Sequence, residues 1–362
     1  MKILQVINTL KMGGAEKLIS ELVPRMKSYG FDVDVAVFDG SGTPFMEKLR
    51  NSGVNIISLN QNPGSPYSLV NFFKLLPVLK GYDIVHSHTT PAQMYCSLAK
   101  VFNPSMTMVT TEHSTYNHRR GKWYFRLLDK CVYSSYSKII CIGQSPRVNL
   151  EKQIGDQGDK IVVIENGIDV GQYNKVFAIG RDEINCKISD FILTMVGRFT
   201  DAKDQHTIVK ALPLLPENVK LVLVGDGPLK ERVSKFADEL GVLDRMRFMG
   251  LRNDVPSILK TSDVVILSSH WEGFGLAAVE GMAAHKPVIA SNVSGLREVV
   301  EGAGLLFEVG DAEELSRLII SLKDDATLYG KIASQCYERA KKYDIDLVAH
   351  RYEQVYKELI NN

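Results

Sequence analysis

Short apolar runs rich in β-branched residues alternate with longer, more polar stretches along the whole chain. In the first half these runs cover residues 3–7, 33–38, 54–59, 83–88, 106–111, 138–142 and 160–164. A second series covers residues 191–196, 219–224, 246–248, 264–267 and 287–290. Most runs are separated by roughly 10–20 residues whose apolar positions have helical spacing. The alternation predicts βαβ units, and therefore parallel sheets covered by helices on both faces.

The two series predict an α/β protein with two doubly wound domains in tandem. A length of 362 residues agrees, because single hydrophobic cores stop growing near roughly 250–300 residues. The expected boundary is the polar, poorly periodic stretch between Asn166 and Asp190, which gives an N-terminal domain over 1–170 and a C-terminal domain over 188–342. The segment 345–362 contains a final helical pattern with no strand after it, and it can pack on either domain.

Composition and charge narrow the class of protein. The chain is 45% hydrophobic and 23% charged, as in ordinary globular proteins, and its net charge of +1 argues against a dedicated nucleic-acid binder. Residues 1–165 carry a net charge of +6 and residues 166–362 a net charge of −5. The five cysteines form neither a CxxC pair nor a zinc ligand set. With no signal peptide and no membrane-spanning run, we expect a cytoplasmic protein with reduced thiols.

The ends of the predicted strands carry the candidate chemistry, because doubly wound sheets bind ligands beyond the carboxyl ends of their strands. Gly13 and Gly14 follow the first strand, where glycines and a helix N-terminus favour an anion, although a simple tight turn explains them equally well. His88 and His113 end the fourth and fifth strands. A lone histidine is usually structural, but two at successive strand ends would lie at one edge of the sheet.

In the second half, cations and glycines occupy the same kind of position. Arg198 ends the first strand of the second series, and Lys203 follows in the same loop. On an ordinary surface, an Arg and a Lys would not indicate a binding site. At a strand end they can hold a diphosphate through charge-assisted hydrogen bonds. Gly225 and Gly227 end the next strand, and Pro228 fits the first turn of the helix that follows.

The segment 268–280 is the most informative one, since a strand leads through a loop into a helix of small residues. Glu272 precedes that helix and Glu280 lies inside it. In one interpretation, Glu272 is an acid favoured by the helix N-terminus and Glu280 is an ordinary exposed helix residue. In the other, both residues bind a ligand. In the second interpretation, Glu272 accepts hydrogen bonds from sugar hydroxyls and Glu280 binds ribose hydroxyls. The backbone N–H groups of Phe274, Gly275 and Leu276 then face phosphate.

These motifs together resemble the retaining glycosyltransferases of family 4, which have the GT-B fold. The resemblance rests on the E-x7-E pattern of Glu272 and Glu280, on Arg198 and Lys203 upstream, and on the glycines near the start. It extends over nearly the whole chain through the segments 166–169, 225–228, 287–291 and 295–298.

The resemblance implies two Rossmann-like domains facing a cleft, the N-terminal one for the acceptor and the C-terminal one for the nucleotide sugar. Arg198 and Lys203 match the basic pair at the donor diphosphate, Glu280 the ribose-binding glutamate and Glu272 the glutamate near the donor sugar. Gly14 matches the loop that closes over the diphosphate, and Gly225 lies among the donor-binding positions. His113 matches the histidine beside the donor sugar, while His88 has a less constant counterpart on the acceptor side. The final helix of the family crosses back to the N-terminal domain.

The implied reaction is retaining sugar transfer from a nucleotide sugar, with UDP the commoner base and GDP the runner-up, to a glycan or lipid-linked acceptor of bacterial surface polysaccharides. No cofactor is implied and no metal is expected, since Arg198, Lys203 and a helix N-terminus stabilise the leaving diphosphate and no DxD-like pair stands where one would bind magnesium. Two alternatives stay open, a GT-B epimerase acting on UDP-N-acetylglucosamine and a catalytically silent nucleotide-sugar-binding module.

Residues 118–138 form a basic and aromatic segment in the N-terminal half. It holds six Lys or Arg against one Asp, interleaved with Trp, Tyr, Phe and Leu, and so accounts for +5 of the charge of that half. This composition favours docking at an anionic membrane surface, which would make the protein peripheral at the inner face of the cell membrane. The alternative is a core-packed helix whose charged face is solvated.

Overall fold

The computed structural model describes residues 1–11, 13–61, 64–114 and 122–361. They form two compact units, one made of Met1–Gly167 together with Ile345–Asn362 and the other of Ile168–Asp344. Each unit contains its own parallel sheet. The α/β fold class with two Rossmann-like domains is therefore confirmed.

The first unit contains a seven-stranded parallel sheet in the order β3-β2-β1-β4-β5-β6-β7. Its strands are β1 Lys2–Ile7, β2 Asp32–Val37, β3 Asn55–Ser58, β4 Ile84–His88, β5 Thr107–Glu112, β6 Lys138–Cys141 and β7 Ile161–Val163. Each lies within one or two residues of an apolar run in the sequence. The strand order reverses between β1 and β4, so the carboxyl ends of these two strands mark the position where doubly wound sheets bind ligands.

Among the described residues, seven α-helices cover the two faces of this sheet. They are α1 Gly14–Ser28, α2 Pro44–Asn51, α3 Leu69–Val78, α4 Thr90–Ala99, α5 Trp123–Ser134, α6 Gln144–Ile154 and the C-terminal α15 Ile345–Asn361. One hydrophobic core lies between the sheet and α1, α2 and α15, and a second lies under α3 to α6. Alternate residues of each strand therefore face different cores.

The last helix belongs to the first unit because its apolar stripe packs there. Its buried residues recur at helical spacing, at Ile345, Val348, Ala349, Tyr352, Val355 and Tyr356. The helix packs against α1 and shares a core with β1 and β4. Full burial of each large side chain contributes about 1.5–3 kcal/mol, which holds the end of the chain on this unit.

The second unit contains a six-stranded parallel sheet in the order β10-β9-β8-β11-β12-β13. Its strands are β8 Phe191–Val196, β9 Val219–Val224, β10 Met246–Gly250, β11 Val264–Leu267, β12 Val288–Ser291 and β13 Leu305–Phe307. Its helices are α7 Val170–Lys175, α8 Gln205–Ala211, α9 Lys230–Glu239, α10 Val255–Thr261, α11 Leu276–Ala283, α12 Arg297–Val300, α13 Ala312–Asp324 and α14 Ala326–Ala340.

Two features of the second unit differ from the sequence-based expectation. The edge strand β13 was not predicted, because three apolar residues after glycines give too short a signal. The expected linker after Asn166 is an ordered part of this unit, where Ile184 and Cys186 pack into a core with Ile192 and Val222. The second unit therefore begins at Ile168.

Candidate functional site

In the second unit, two neighbouring strands deliver the charged candidates to one edge of the sheet. β8 ends at Val196, immediately before Gly197 and Arg198, and β11 ends at Leu267, four residues before Trp271. The two strands pair in parallel, so the loops that follow them leave the sheet side by side. The Arg198 side chain is exposed to solvent, as a group that meets a soluble ligand must be.

The two loops are joined by polar contacts. The Lys203 ammonium forms an ion pair with the Glu272 carboxylate. The Ser268 hydroxyl donates to the Asp204 carbonyl at 2.7 Å, and the His270 N–H donates to the Ala202 carbonyl at 2.9 Å. These bonds fix Lys203 and Glu272 on rigid loops, so the ammonium stays at the strand end.

At Gly225 the loop after β9 passes too close to the loop after β8 to leave room for a side chain. The φ of +136° at Gly225 is unfavourable for other residues, and a Cβ would lie 2.2 Å from the Gly197 carbonyl oxygen. At Gly227 a Cβ would lie 2.5 Å from the Phe199 carbonyl oxygen. Both glycines let the loop after β9 approach the loop after β8.

The helix α11 begins directly behind Glu272. Gly275, with a φ of +90°, precedes the helix, and the Ala278 N–H donates to its carbonyl at 2.9 Å. The first N–H groups of a helix have no acceptor within it, so those of Gly275 and Leu276 belong to the set that can bind an anion, whereas Phe274 lies one residue before the N-cap. The Phe274 ring itself is buried and meets the Tyr343 ring edge to face at 5.1 Å.

Glu280 differs from an ordinary exposed helix residue, because only 6% of it is accessible. Buried carboxylates are rare unless polar groups satisfy them. Glu272 and Glu280 thus lie on consecutive parts of one strand-loop-helix unit, one at the loop and the other inside the helix. One carboxylate is therefore at the loop, and the other is buried within the helix.

In the first unit, the two predicted histidines are in direct contact. His88 ends β4, His113 follows β5, and His88 Nδ1 lies 3.0 Å from His113 Nε2. Burial lowers the pKa of His113 to about 3 and that of His88 well below its usual range. Both rings are therefore neutral near pH 7. His113 Nδ1 is buried without a hydrogen-bond partner among the described residues.

Sequence reasoning missed the residues that support this pair. Gln5 of β1 and His86 of β4 are fully buried; Tyr356 of α15 contacts both, and Tyr352 of the same helix stacks on His86. The signal for Gln5 was a polar residue inside the apolar run of KILQVI, whereas His86 lies in IVHSH, where three of the five residues are polar. The tyrosines carry no such signal, because their contacts depend on where α15 packs.

Other predicted positions are located as follows. Gly14 is the first residue of α1 and is exposed. Behind it, burial raises the pKa of the Glu16 carboxyl. Residues 118–121 of the basic segment lie outside the described residues, and the described part contains the amphipathic helix α5, with Trp123 74% exposed.

The described residues hold no group of three or more His, Cys, Asp or Glu side chains arranged to bind a metal ion. Within the same residues, no helix is both long enough and apolar enough to cross a membrane.

Comparison with protein families matches both halves of the chain. Residues 12–172 match the family model described as Glycosyltransferase Family 4. Residues 180–343 match the model described as Glycosyl transferases group 1. The two matches include nearly all of both sheets described above.

Characterised relatives are glycosyltransferases by name. The chain is 29% identical over 279 residues to the Escherichia coli UDP-Gal:alpha-D-GlcNAc-diphosphoundecaprenol alpha-1,3-galactosyltransferase, a match that covers 72% of this chain and 71% of the relative. It is 27% identical over 370 residues to the Bacillus anthracis N-acetyl-alpha-D-glucosaminyl L-malate synthase, with 97% and 95% of the two chains covered.

A solved structure agrees with the fold. The Anabaena protein HepE, crystallised with UDP and glucose, superposes with a TM-score of 0.87 at 24% identity, over 99% of this chain and 100% of that one. At this identity the likeness establishes the GT-B fold and nothing further. The two family matches show that the chain belongs to the glycosyltransferases of family 4.

Proposed function

We propose that the protein transfers a sugar from a nucleotide-sugar donor, with a UDP-sugar favoured, to a glycan or lipid-linked acceptor. The observation that carries this proposal is the cluster at the carboxyl edge of the second sheet, where Arg198 and the Lys203–Glu272 pair lie beside the start of α11. A sugar nucleotide needs cations for phosphate and acceptors for hydroxyls, and this edge supplies both kinds of group.

The cations have a defined task in such a reaction. As the bond between the anomeric carbon and the phosphate oxygen breaks, negative charge grows on the leaving diphosphate. Arg198 and Lys203 stabilise that charge where it develops, together with the N–H groups of Phe274, Gly275 and Leu276. Gly225 leaves room for the phosphates. In this proposal the chain itself neutralises the leaving group, and no metal is needed.

The carboxylates and histidines orient the sugar. Glu280 accepts hydrogen bonds from ribose hydroxyls and Glu272 from hydroxyls of the transferred sugar. His113, neutral near pH 7, accepts a hydrogen bond beside the reacting carbon, and His88 supports it on the acceptor side. Exact orientation of this kind lowers the barrier because the reacting atoms need no further ordering.

We further propose that the anomeric configuration is retained. The acceptor oxygen bonds to the anomeric carbon on the face that the diphosphate leaves, and its proton passes to a departing phosphate oxygen. Anomeric proton NMR of the first product will identify an α-linkage from an α-linked donor. A β-linked first product would contradict retention while leaving transfer itself intact.

A donor screen tests the central proposal. Thermal unfolding is measured with UDP-, GDP- and ADP-sugars, and a bound donor stabilises by about 2.7 kcal/mol at a hundredfold excess over Kd. We expect a UDP-sugar to give the largest shift, and Lys203→Ala to abolish it. No shift with any of these donors would overturn the donor assignment. Turnover without any acceptor to a new sugar isomer would instead identify the epimerase alternative.

The name of one relative supports the class of acceptor. The name of the Escherichia coli enzyme includes both a UDP-linked donor and a diphosphoundecaprenol acceptor, which supports a lipid-linked acceptor over an epimerase or a silent module for this chain. Transfer to a synthetic lipid diphosphate glycan, compared with the same glycan lacking lipid, tests the acceptor class. Equal rates on both substrates would remove the lipid from the proposal.

A membrane-facing surface on α5 fits such an acceptor. Its apolar residues Trp123 and Leu127 are 74% and 57% exposed, and Lys122 and Lys130 are exposed beside them. The acidic residue of the helix, Asp129, is turned inward and accepts a hydrogen bond from Gln153 Nε2 at 3.1 Å. The solvent-facing side of α5 therefore combines cations with large apolar groups, as surface-binding helices do.

Vesicle co-sedimentation tests this surface and the peripheral location at the inner face of the cell membrane. We expect binding to phosphatidylglycerol vesicles that weakens with salt and weakens further in Trp123→Ser. Phe177→Ser is the matched control, since Phe177 is 88% exposed on the other unit. Equal binding to phosphatidylcholine vesicles, or none to either, would contradict the proposal.

A further inference from the structure

A line of buried polar side chains connects the C-terminal helix to His113. Gln5 of β1 lies opposite His86 of β4, and His88 of β4 lies opposite Thr111 of β5. These positions share the sheet face that α15 covers, so the hydroxyl of Tyr356 reaches both Gln5 and His86. The line crosses three strands and one helix within a single unit.

Gln5 sets the direction of this line, because its side chain has one donating and one accepting end. Gln5 Nε2 donates to the Tyr356 hydroxyl at 3.1 Å, which leaves Oε1 facing His88 Nε2 at 2.7 Å. A carbonyl oxygen only accepts, so His88 carries its proton on Nε2. Since the ring is neutral, His88 Nδ1 holds a lone pair and accepts from His113 Nε2 at 3.0 Å.

The other half of the line continues in the same direction. Tyr356 receives the Gln5 amide proton and donates its own hydroxyl proton to His86 Nδ1 at 2.5 Å. His86 Nε2 then donates to the Thr111 hydroxyl at 2.8 Å, and Thr111 lies 3.5 Å from the Tyr352 hydroxyl. Each group therefore donates to the next, and no donor meets a donor.

This hydrogen-bond pattern determines which ring nitrogen of His113 carries the proton. Its Nε2 is committed as a donor to His88, so the neutral ring has its lone pair on Nδ1. That atom is buried and has no partner among the described residues. A buried acceptor without a donor is costly, and the cost disappears when a ligand supplies a hydroxyl or N–H.

We propose that Gln5 and His88 are positioning residues that hold His113 as the Nε2–H tautomer, with Nδ1 presented as the acceptor for a hydroxyl of the bound sugar, and that Tyr356 of α15 fixes the orientation of Gln5. The ligand assignment rests on the proposed function, and the tautomer assignment does not. The C-terminal helix thereby controls the reaction centre through one hydroxyl group.

The tautomer is read directly by nitrogen NMR of the full chain labelled with ¹⁵N-histidine, at neutral pH and without ligand. We expect the His113 signals, assigned through loss in His113→Gln, to show a protonated Nε2 and an unprotonated Nδ1. In Tyr356→Phe the Gln5 amide loses its acceptor, and we expect a mixture of the two tautomers. A protonated Nδ1 in the wild type, or an unchanged pattern in Tyr356→Phe, would overturn the inference.

Tyr136→Phe is the matched control, because Tyr136 is an equally buried tyrosine of the same unit on the other sheet face. Its hydroxyl donates to the Gln93 carbonyl at 2.7 Å and takes no part in the line. We expect this variant to lose stability as Tyr356→Phe does, but to keep the His113 tautomer. A tautomer change in both variants would mean that loosened packing, not the line, moves the proton.

Activity distinguishes positioning from packing at His88. His88→Gln keeps an accepting oxygen and a donating nitrogen, whereas His88→Phe keeps only the ring shape. We expect kcat for sugar transfer to fall at least tenfold in His88→Phe and to recover largely in His88→Gln, with little change in donor KM. Equal losses would overturn the positioning role. If the tautomer is as stated and no variant alters transfer, the proposed role of His113 fails instead.

Discussion

The strand-end edges of the two units are built from different kinds of polar group. In the second unit the groups are charged and reach solvent, with Arg198 exposed and Lys203 paired to Glu272. In the first unit they are neutral and buried, with His88 and His86 inaccessible to solvent. Two sheets of the same class thus present opposite electrostatic environments at equivalent positions.

The difference matches two separate demands of sugar transfer. Charges at the edge of a sheet bind another charge strongly but tolerate some variation in its position, because Coulomb attraction falls slowly with distance. A hydrogen-bonded line of neutral groups gains little binding energy, yet it fixes which atom carries a lone pair. In the proposed function, the second unit binds a diphosphate and the first orients a sugar.

Removing the charges should have the largest effect on activity. We expect Arg198→Ala and Lys203→Ala each to lower kcat/KM for transfer about 10²–10³-fold, the usual loss when one stabiliser of a leaving oxyanion is removed. Lys210→Ala, at an exposed position of α8, is the control and should change little. Steady-state kinetics with donor titration makes the measurement. If donor affinity and turnover both stay within about twofold of the wild type, the diphosphate assignment fails.

Closing the gap beside the charges should mainly reduce stability. In Gly225→Ala the new Cβ meets the Gly197 carbonyl oxygen at 2.2 Å, and the φ of +136° is itself unfavourable. We expect a loss of about 3 kcal/mol in the free energy of unfolding, measured by urea denaturation. Gly241→Ala isolates the backbone cost, because Gly241 has a φ of +66° with nothing within 4 Å of its Cβ position. That variant should lose only about 1 kcal/mol. Similar losses in both would contradict the close-contact explanation.

The neutral histidines of the first unit predict loss of stability in acid. Burial lowers the pKa values of His86, His88 and His113, so below pH 6.5 the unfolded chain binds protons that the folded chain does not. By linkage, each such histidine removes about 1.4 kcal/mol per pH unit as the pH falls from 6.5 toward its folded pKa. Above pH 6.5 the contribution of these neutral histidines to the free energy of unfolding is fully present.

Urea denaturation between pH 7 and 4.5 measures this slope. His86→Gln should reduce the slope by about 1.4 kcal/mol per pH unit, whatever it does to absolute stability. A slope equal to that of the wild type would mean that His86 titrates alike in both states. Glu16 works in the other direction, since burial raises its pKa, and it offsets part of the slope at the acid end.

The comparison also separates what the sequence could predict from what it could not. Twelve of the strands follow from apolar runs, because a buried parallel strand needs a continuous β-branched segment. The charged edge could also be predicted from the sequence, since its residues lie in local strand-loop-helix patterns. These residues are Arg198, Lys203, Glu272 and Glu280. Among the described strands only β13 escaped, because its sequence LLF follows glycines and contains no β-branched residue.

The neutral line could not be predicted, because its links are remote in the sequence. Gln5 and Tyr356 are separated by 351 positions, and His86 and Tyr356 by 270. Only the packing of α15 on β1 and β4 brings them together. The two predicted histidines were local signals, whereas their partners are properties of the tertiary structure.

The smallest predicted effect concerns one backbone position behind each edge. Thr89, directly after His88, has φ +67° and ψ 155°, a backbone region that is essentially restricted to glycine. Asp204, directly after Lys203, adopts the left-handed conformation at φ +46°, which Asp tolerates. Thr89→Gly should therefore gain about 1 kcal/mol by relieving strain, even though the hydroxyl bond to the His88 carbonyl is lost. Asp204→Gly should lose about 1 kcal/mol, because the carboxylate accepts a hydrogen bond from the Thr207 hydroxyl at 2.5 Å. Urea denaturation compares the two, and a loss in Thr89→Gly would show that its conformation is unstrained. If Thr89→Gly gains stability while transfer slows, the backbone strain serves to hold His88 against His113. The strain then positions a group of the neutral edge, as the ion pair with Glu272 positions Lys203 at the charged edge.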